Sequence, residues 1–407
     1  MSLFSAAALA SILAAQEPDA ATKGSLAEPM DAAEVRERIA LLEKMLPTSA
    51  DRGAVLYLLA SSKEHLGETL EALKLLKECV ERDEGFDPSG DPVFAGLRPS
   101  HDFQVLVDRV HQKFPVVAKA RLALETEEKD LIPEGLAWDA SRNVFYLGSL
   151  AQRKIVKISP DNQAGEFAPS AHETILPVLG IRLDPGDNSV WANSADETTG
   201  RSELLHLSGE GALLGRFALT DAGKHELNDL AIRKNGEIFI TDSASNLVFR
   251  FEPSTHTFAP VHLHRETFAP NGITLGEDDN ALYIADDLGI IRLDLATATS
   301  QDVAPAPRST MAGADGLYWY KGSLIAIQND IGTPRVAAFR LAKDGLRATQ
   351  ANILEYRSPF TILPTTGAIR DSDFYFISNS GLDNLNDGKI MDVTALQRTR
   401  IAMLHLP

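Results

Sequence analysis

The sequence predicts a closed all-β ring of six repeats behind a short helical segment, and three observations carry that prediction. A motif of two short strands joined by a turn recurs six times between residues 133 and 379. Its copies are spaced by about 45 residues. The hydrophobic pattern also changes near Pro115, from a spacing of three and four to strict alternation.

The helical part comes first. Val35, Ile39, Leu42 and Met45 recur at three and four, which sets one apolar stripe on one helix face. A helix pair is expected over residues 50–86. There Leu59, Ala60, Leu66, Gly67, Ala72, Leu73 and Leu76 sit at positions resembling a tetratricopeptide helix–turn–helix. The resemblance covers little more than one repeat, whereas such solenoids need about three to bury a continuous core. A small helical cap and a protein-partner module both remain open. A further helix is expected over His101 to Lys113.

After Pro115, short alternating runs are separated by Gly, Asn, Asp and Pro, the composition of strands and turns. The repeats are PEGLAWDASRNVFYLGS, VLGIRLDPGDNSVWANS, LNDLAIRKNGEIFITDS, PNGITLGEDDNALYIAD, GADGLYWYKGSLIAIQN and TTGAIRDSDFYFISN. Aligned, they place Gly135, Gly180, Asp229, Gly272, Gly316 and Gly367 in one column, at intervals of 45, 49, 43, 44 and 51 residues. That period is the signature of propeller blades, and six copies close a ring. The expected architecture is therefore a small helical domain at 25–115 and a six-bladed β-propeller at 116–407. A strand around Ala120 to Glu125 is available to complete the last blade, and the propeller is expected to stand independently of the helices.

The residues just before that column are Glu134, Leu179, Asn228, Asn271, Asp315 and Thr366. Equivalent positions at the starts of the innermost strands face one another across the axis at one mouth. Four carry a carboxylate or carboxamide oxygen and a fifth a hydroxyl. Facing carboxylates repel unless a cation neutralises them, and an all-oxygen set suits a hard ion, calcium first, then magnesium or manganese. Asn271-Gly272 and Asp315-Gly316 are also common turn dipeptides, which is the plainer alternative. The second strand of each repeat runs back to the same mouth and ends at Ser149, Asn193, Asp242, Asp286, Asn329 and Asn379. These are candidates for contacts to substrate, or for capping strand ends.

Totals exclude several classes. The 407 residues carry a formal net charge of −18, which disfavours a nucleic-acid partner. One cysteine, Cys79, permits no intramolecular disulfide and no cysteine-rich zinc site. No stretch reaches the roughly 20 apolar residues of a membrane span. Leu3 to Ala15 reads as the apolar core of an export signal, though no Lys or Arg precedes it. Residues 1–24 are thus expected to be signal-like or disordered, with the protein periplasmic or secreted, and a cytoplasmic location as the alternative. There is no Gly-x-Ser-x-Gly elbow, no His-Glu-x-x-His helix and no phosphate loop. His262 and His264 share a strand face, where a solvated pair is the plain reading.

Pro133-Glu134-Gly135-Leu136-Ala137-Trp138-Asp139, the pair Asn228-Asp229, Pro270-Asn271-Gly272-Ile273 and Asp315-Gly316 resemble the gluconolactonase/regucalcin/luciferin-regenerating family of senescence marker protein-like propellers. The resemblance runs from about residue 130 to the C-terminus. It implies a catalytic divalent cation, calcium or zinc, on Glu134, Asn271 and Asp315, with Asn228 beside it. It also implies hydrolysis of lactones or esters. The more distant paraoxonases share the propeller, but their His–His dyad falls near Leu179 and Ser194 here. Sugar lactonases often carry Arg where this chain has Glu226.

The expected function is thus metal-dependent hydrolysis of a small lactone or ester. Asp315 and Asn228 are the candidate catalytic residues, and Asp315, Asp242 and Asp286 the candidate proton acceptors. Asn329, Asn193 and Thr366 are expected around the substrate. Neither Ser194 nor His172 is expected to take part. A non-catalytic propeller, with a structural calcium and a helical interaction domain, is the alternative.

Overall fold

In the computed structural model the described residues are 31–168, 175–220 and 223–407; the apolar run Leu3 to Ala15 and His172 lie outside them. Six four-stranded antiparallel sheets surround one axis. Their innermost strands are Pro133–Asp139 (blade I), Val178–Leu183 (II), Leu227–Ile232 (III), Ile273–Leu275 (IV), Ala314–Tyr320 (V) and Gly367–Arg370 (VI). Blade VI is completed out of order. Its outermost strand is Arg121–Glu125, paired with the C-terminal strand Arg400–His405 through Arg121 with Met403 and Glu125 with Arg400. The two ends of the propeller are thereby hydrogen-bonded into one sheet, which leaves the ring no open seam.

Both faces of each sheet are apolar because both are covered. Leu136, Phe145, Leu147 and Val156 of blade I pack on Ala368, Ile377 and Ile401 of blade VI. Ile325, Ile327 and Val336 of blade V meet Phe374, Phe376 and Leu404 of blade VI from the other side. Alternation along each strand therefore reports which neighbouring blade a side chain meets.

The aligned column marks where the blades come closest. A Cβ on Gly135 would lie 2.0 Å from the Leu179 carbonyl oxygen of blade II. One on Gly272 would lie 2.6 Å from the Asp315 carbonyl oxygen of blade V. Only glycine admits the next blade's backbone at that range. At the same level the ladder between the first two strands slips, between Pro133 and Leu136, Val178 and Ile181, Leu227 and Leu230, and Ala314 and Gly316. Each bulge turns the residue before the column out of the regular pleat.

Among the described residues four helices stand ahead of the ring: α1 (Ala32–Met45), α2 (Arg52–His65), α3 (Thr69–Glu81) and α4 (His101–Lys113), with a 3-10 turn at Pro92–Leu97. Asp31 caps α1, accepting from Ala33 and Glu34 amides while Glu34 reaches back to the Asp31 amide. Gly67, at φ +73°, makes the turn from α2 to α3. The helices end at Lys113 and the first strand begins at Arg121, so the change seen at Pro115 falls in the connection.

Packing nevertheless ties the helices to the ring. Leu288, Ala312 and Ile331, from the connections of blades IV and V, are buried within the same cluster as Leu42, Leu56, Phe94 and Phe103 of the helical part. Asp51, the cap of α2, accepts from both Ala54 and the Met311 amide. The buried Arg335 guanidinium donates to the Gly85 carbonyl at 2.6 Å, and Tyr356 donates to Asp87. The connections concerned all emerge at the mouth where the inner strands begin. The helical domain is therefore a roof over the blade IV–V side of that mouth.

Two outcomes follow for stability. Gly135→Ala should lower the unfolding free energy by about 1–3 kcal/mol or more, since the new methyl meets backbone. Gly165→Ala, whose Cβ would meet nothing nearer than 3.8 Å, should change it little. A chain starting near Val116 should melt well below the full protein and bind hydrophobic dye, because Leu288, Ala312 and Ile331 lose their cover. Equal melting temperatures would show that the roof contributes nothing to the ring.

Candidate functional site

Four of the six residues before the column, Glu134, Leu179, Asn228 and Asp315, lie at bulged strand starts at the roofed mouth, and Asn271 and Thr366 just precede the other two inner strands. Glu134, Asn228, Asn271 and Asp315 are 6%, 7%, 9% and 2% exposed. Asn271 is not in a hairpin turn: its amide donates to Ala285, and the Ala285 amide donates back to Gly272. Asp315 and Asn228 likewise lie within inner strands. The turn alternative is thus not what this chain adopts.

Neighbours fix the orientation of Asp315 and Asn228, and Asp315 keeps one oxygen bare. Asn329 donates from Nδ2 to Asp315 Oδ2 at 2.7 Å and to the Pro364 carbonyl at 2.6 Å. Asn228 donates to Ser243 Oγ at 3.0 Å, and that hydroxyl donates to the Pro270 carbonyl at 2.8 Å. Thr366 donates to the Glu134 carbonyl, and Asn193 to that of Asn228. Against this background, Glu134 Oε2, Asn271 Oδ1 and Asp315 Oδ1 are buried with no hydrogen-bond donor; so are Asn193 Oδ1 and Asn329 Oδ1. Each is an acceptor that folding has stripped of water without replacement, a cost of about 1–3 kcal/mol for a neutral group and more for a charged one.

The electrostatics agree. Burial, then repulsion from Asp315, Glu226, Asp330 and Asp229, holds the Glu134 carboxyl well above its ordinary range. Burial raises Asp315 to about 7, against the hydrogen bond from Asn329. Glu226 is raised to about 7 by burial, then by Glu197 and Asp242. Asp330 is pushed up by burial, then by Asp315 and Asp287. Asp330 is nevertheless exposed and Glu226 half-buried, so both reach solvent. Among the described residues no three His, Cys, Asp or Glu side chains group at metal-binding spacing. The donor set is two carboxylates plus carboxamides, a composition suited to a hard cation.

The second set of sequence candidates divides. Asn193 and Asn329 belong to the ring, as described above. Asp242 is saturated by His225 Nδ1 at 2.5 Å and by the Glu226 and Ser245 amides. Asp286 is gripped by Arg265 at 2.5 and 3.0 Å and by the Phe268 and Leu288 amides. Both carboxylates are clamps at strand ends, with both oxygens of each already engaged. Ser149 and Asn379 also close their own connections.

Three residues were not anticipated. Arg182, two positions beyond Gly180, lies below the ring, donates to Asp229 Oδ2 at 2.7 Å and stands 5.4 Å from the Tyr318 ring centre. Tyr318 occupies the same position relative to Gly316. Period two from the column would have pointed both side chains into the channel. Asp330 directly follows Asn329, and its only signal is acidity beside a ring residue. A cavity of about 330 Å³ between the roof and blade IV, lined by Met45, Asp51, His264, Leu288 and Met311, contains none of the ring residues.

No family model matches this chain, and no curated protein matches it. Among solved structures it is similar to a gluconolactonase from Xanthomonas campestris, with TM-score 0.50 and 13% identity over 72% of this chain and 98% of that one. A luciferin-regenerating enzyme aligns with TM-score 0.49 and 14% identity, over 70% and 94% of the two chains. Virginiamycin B lyase from Staphylococcus aureus aligns with TM-score 0.45 and 18% identity, over 64% and 82%. At 13% identity, the likeness to the Xanthomonas campestris protein bears on the six-bladed fold alone.

The buried acids set a pH dependence for the cation-free protein. A carboxyl whose folded pKa lies above the unfolded one binds more protons when folded, so stability falls as pH rises between the two values. For Asp315 that window runs from the ordinary 3.8 to about 7, and Glu134, Glu226 and Asp330 act in the same direction. In chelator, the melting temperature should drop between pH 5 and pH 8, and Asp315→Asn should flatten the slope. A parent that gains stability over that range would contradict the ring's electrostatics.

Proposed function

We propose that the roofed mouth binds one divalent cation, calcium by preference, on Glu134, Asn271 and Asp315 with Asn228 alongside, and that the protein hydrolyses lactones or small esters there. The observation carrying this reading is the trio of buried, donorless oxygens on three different blades, which a single cation of matching charge would satisfy. Magnesium, manganese and zinc suit the same oxygens less well or with fewer ligands. The resemblance of the motifs, and the fold shared with a gluconolactonase, support the lactone or ester class.

When bound, the cation would polarise a carbonyl and acidify water. The chain's own residues do the rest. Asn329 pins Asp315 through Oδ2 and leaves Oδ1 directed into the ring. The Asn228–Ser243–Pro270 relay fixes the Asn228 carboxamide beside it. With both oxygens of Asp242 and of Asp286 engaged, Asp315 is the one of the three candidate proton acceptors that keeps a bare oxygen. Water exclusion comes from two sides. The helical domain covers blades IV and V, and an apolar group of Ile132, Leu150, Leu179, Ala195 and Leu382 closes blades I and II.

A panel of lactones and aryl esters, with and without chelator, tests the reading. Activity should disappear in chelator and return with calcium. Asp315→Ala should lower turnover on the order of a hundredfold or more. Ser194→Ala should stay within a few-fold, and serine-directed inhibitors should have no effect. Calcium should also raise the melting temperature of the parent, and far less that of Glu134→Gln. Activity that survives chelation or loss of Asp315 places the chemistry elsewhere. Calcium binding with no hydrolysis leaves a binding propeller with a structural ion.

A further inference from the structure

Among the described residues, the ion pairs of the mouth leave two carboxylates unmatched even with a divalent cation in place. Asp229 has Arg182 at 2.7 Å, Asp242 has His225, Asp286 has Arg265, and Asp287 has Arg38 of α1 at 3.4 Å. A divalent ion matches Glu134 and Asp315. Glu226 and Asp330 remain, and among the described residues neither makes an ion pair with any Lys, Arg or His. Both flank the ring: each repels Glu134, and Asp330 also repels Asp315. Both side chains open to solvent, so they face whatever enters, while the donorless Glu134 Oε2 and Asp315 Oδ1 lie behind them.

On the other side of the ring the wall is apolar. Leu179 replaces an oxygen-bearing residue at the blade II position and packs with Leu150, Ala195, Ile132 and Leu382. An entering molecule therefore meets a hydrocarbon surface on one side and two unneutralised carboxylates on the other.

Resting on the hydrolase reading above, we propose that the substrate is a lactone or ester bearing a fixed positive charge on an apolar body, such as a quaternary or alkylammonium group, with Glu226 and Asp330 recognising that charge. A neutral substrate gains nothing from the two carboxylates, and an anionic one is repelled by both. The residues act on specificity, and the bond cleaved is the same acyl–oxygen bond, with water supplying the oxygen and the alcohol leaving protonated.

A matched ester series tests this with the calcium-loaded full-length protein. Acetylcholine, its neutral isostere 3,3-dimethylbutyl acetate and an acetate ester carrying a carboxylate at the same distance are compared by kcat/KM, each normalised to its alkaline hydrolysis rate. The ammonium ester should exceed the neutral one by at least about tenfold, and the advantage should shrink with salt. Glu226→Gln and Asp330→Asn should each reduce the ratio, and the double variant should bring it close to one, with melting curves confirming that each is folded. Equal use of the neutral ester, or preference for the anionic one, overturns the proposal. If no ester is hydrolysed, calorimetry with the methyl ether of choline and its neutral isostere still decides. Binding of the ammonium ether alone sustains the charge selectivity while the hydrolase reading fails, and no difference between the two overturns it.

Discussion

The Asp315 carbonyl oxygen sits 2.6 Å from where residue 272 would carry a Cβ, and the Leu179 carbonyl 2.0 Å from that of residue 135. That crowding of six strand starts around one axis is the constraint from which the rest follows. It demands glycine at most positions of the column, and it is accompanied by a bulge at the same level in four blades. The bulge in turn aims the preceding residue out of the pleat. Glu134, Asn228 and Asp315 owe their place in one ring to backbone that has no other room. The one non-glycine in the column, Asp229, is held by Arg182, so blade III meets the same constraint with an ion pair.

Crowding also explains the chemistry. Carboxylates brought together cannot all keep their charge, and the protein leaves the conflict open at Glu134, Asp315, Glu226 and Asp330 while resolving it elsewhere with Arg182, Arg265, Arg38 and His225. Each resolved acid has become structural. The unresolved ones mark the site, because a donorless buried oxygen persists only where something outside the chain meets it.

What could be read from the sequence was what the six repeats state six times. The column, the ring before it and the closing strand near Ala120 follow from an interval that survives every insertion. Features belonging to one blade were harder to see. Arg182 and Tyr318 lay one pleat further along the inner strands, a position that is Ala137, Ala231, Thr274 and Ile369 in the other blades and so shows no pattern. Asp330 stands in a connection of variable length, where alignment loses its register. Asp242 and Asp286 looked like free acids because their partners, His225 and Arg265, lie in the preceding connections and meet them only in the fold. The docking of the helices was invisible for a different reason. Contacts such as Arg335 with Gly85 join residues 250 positions apart, and nothing in a local pattern announces them.

The account stands on the three bare oxygens, and a high-resolution crystal structure grown with calcium examines them directly. One ion should lie about 2.3–2.6 Å from Glu134 Oε2, Asn271 Oδ1 and Asp315 Oδ1 together. The same three atoms met only by waters or by side-chain donors, with calcium absent from the mouth or held elsewhere, would contradict it.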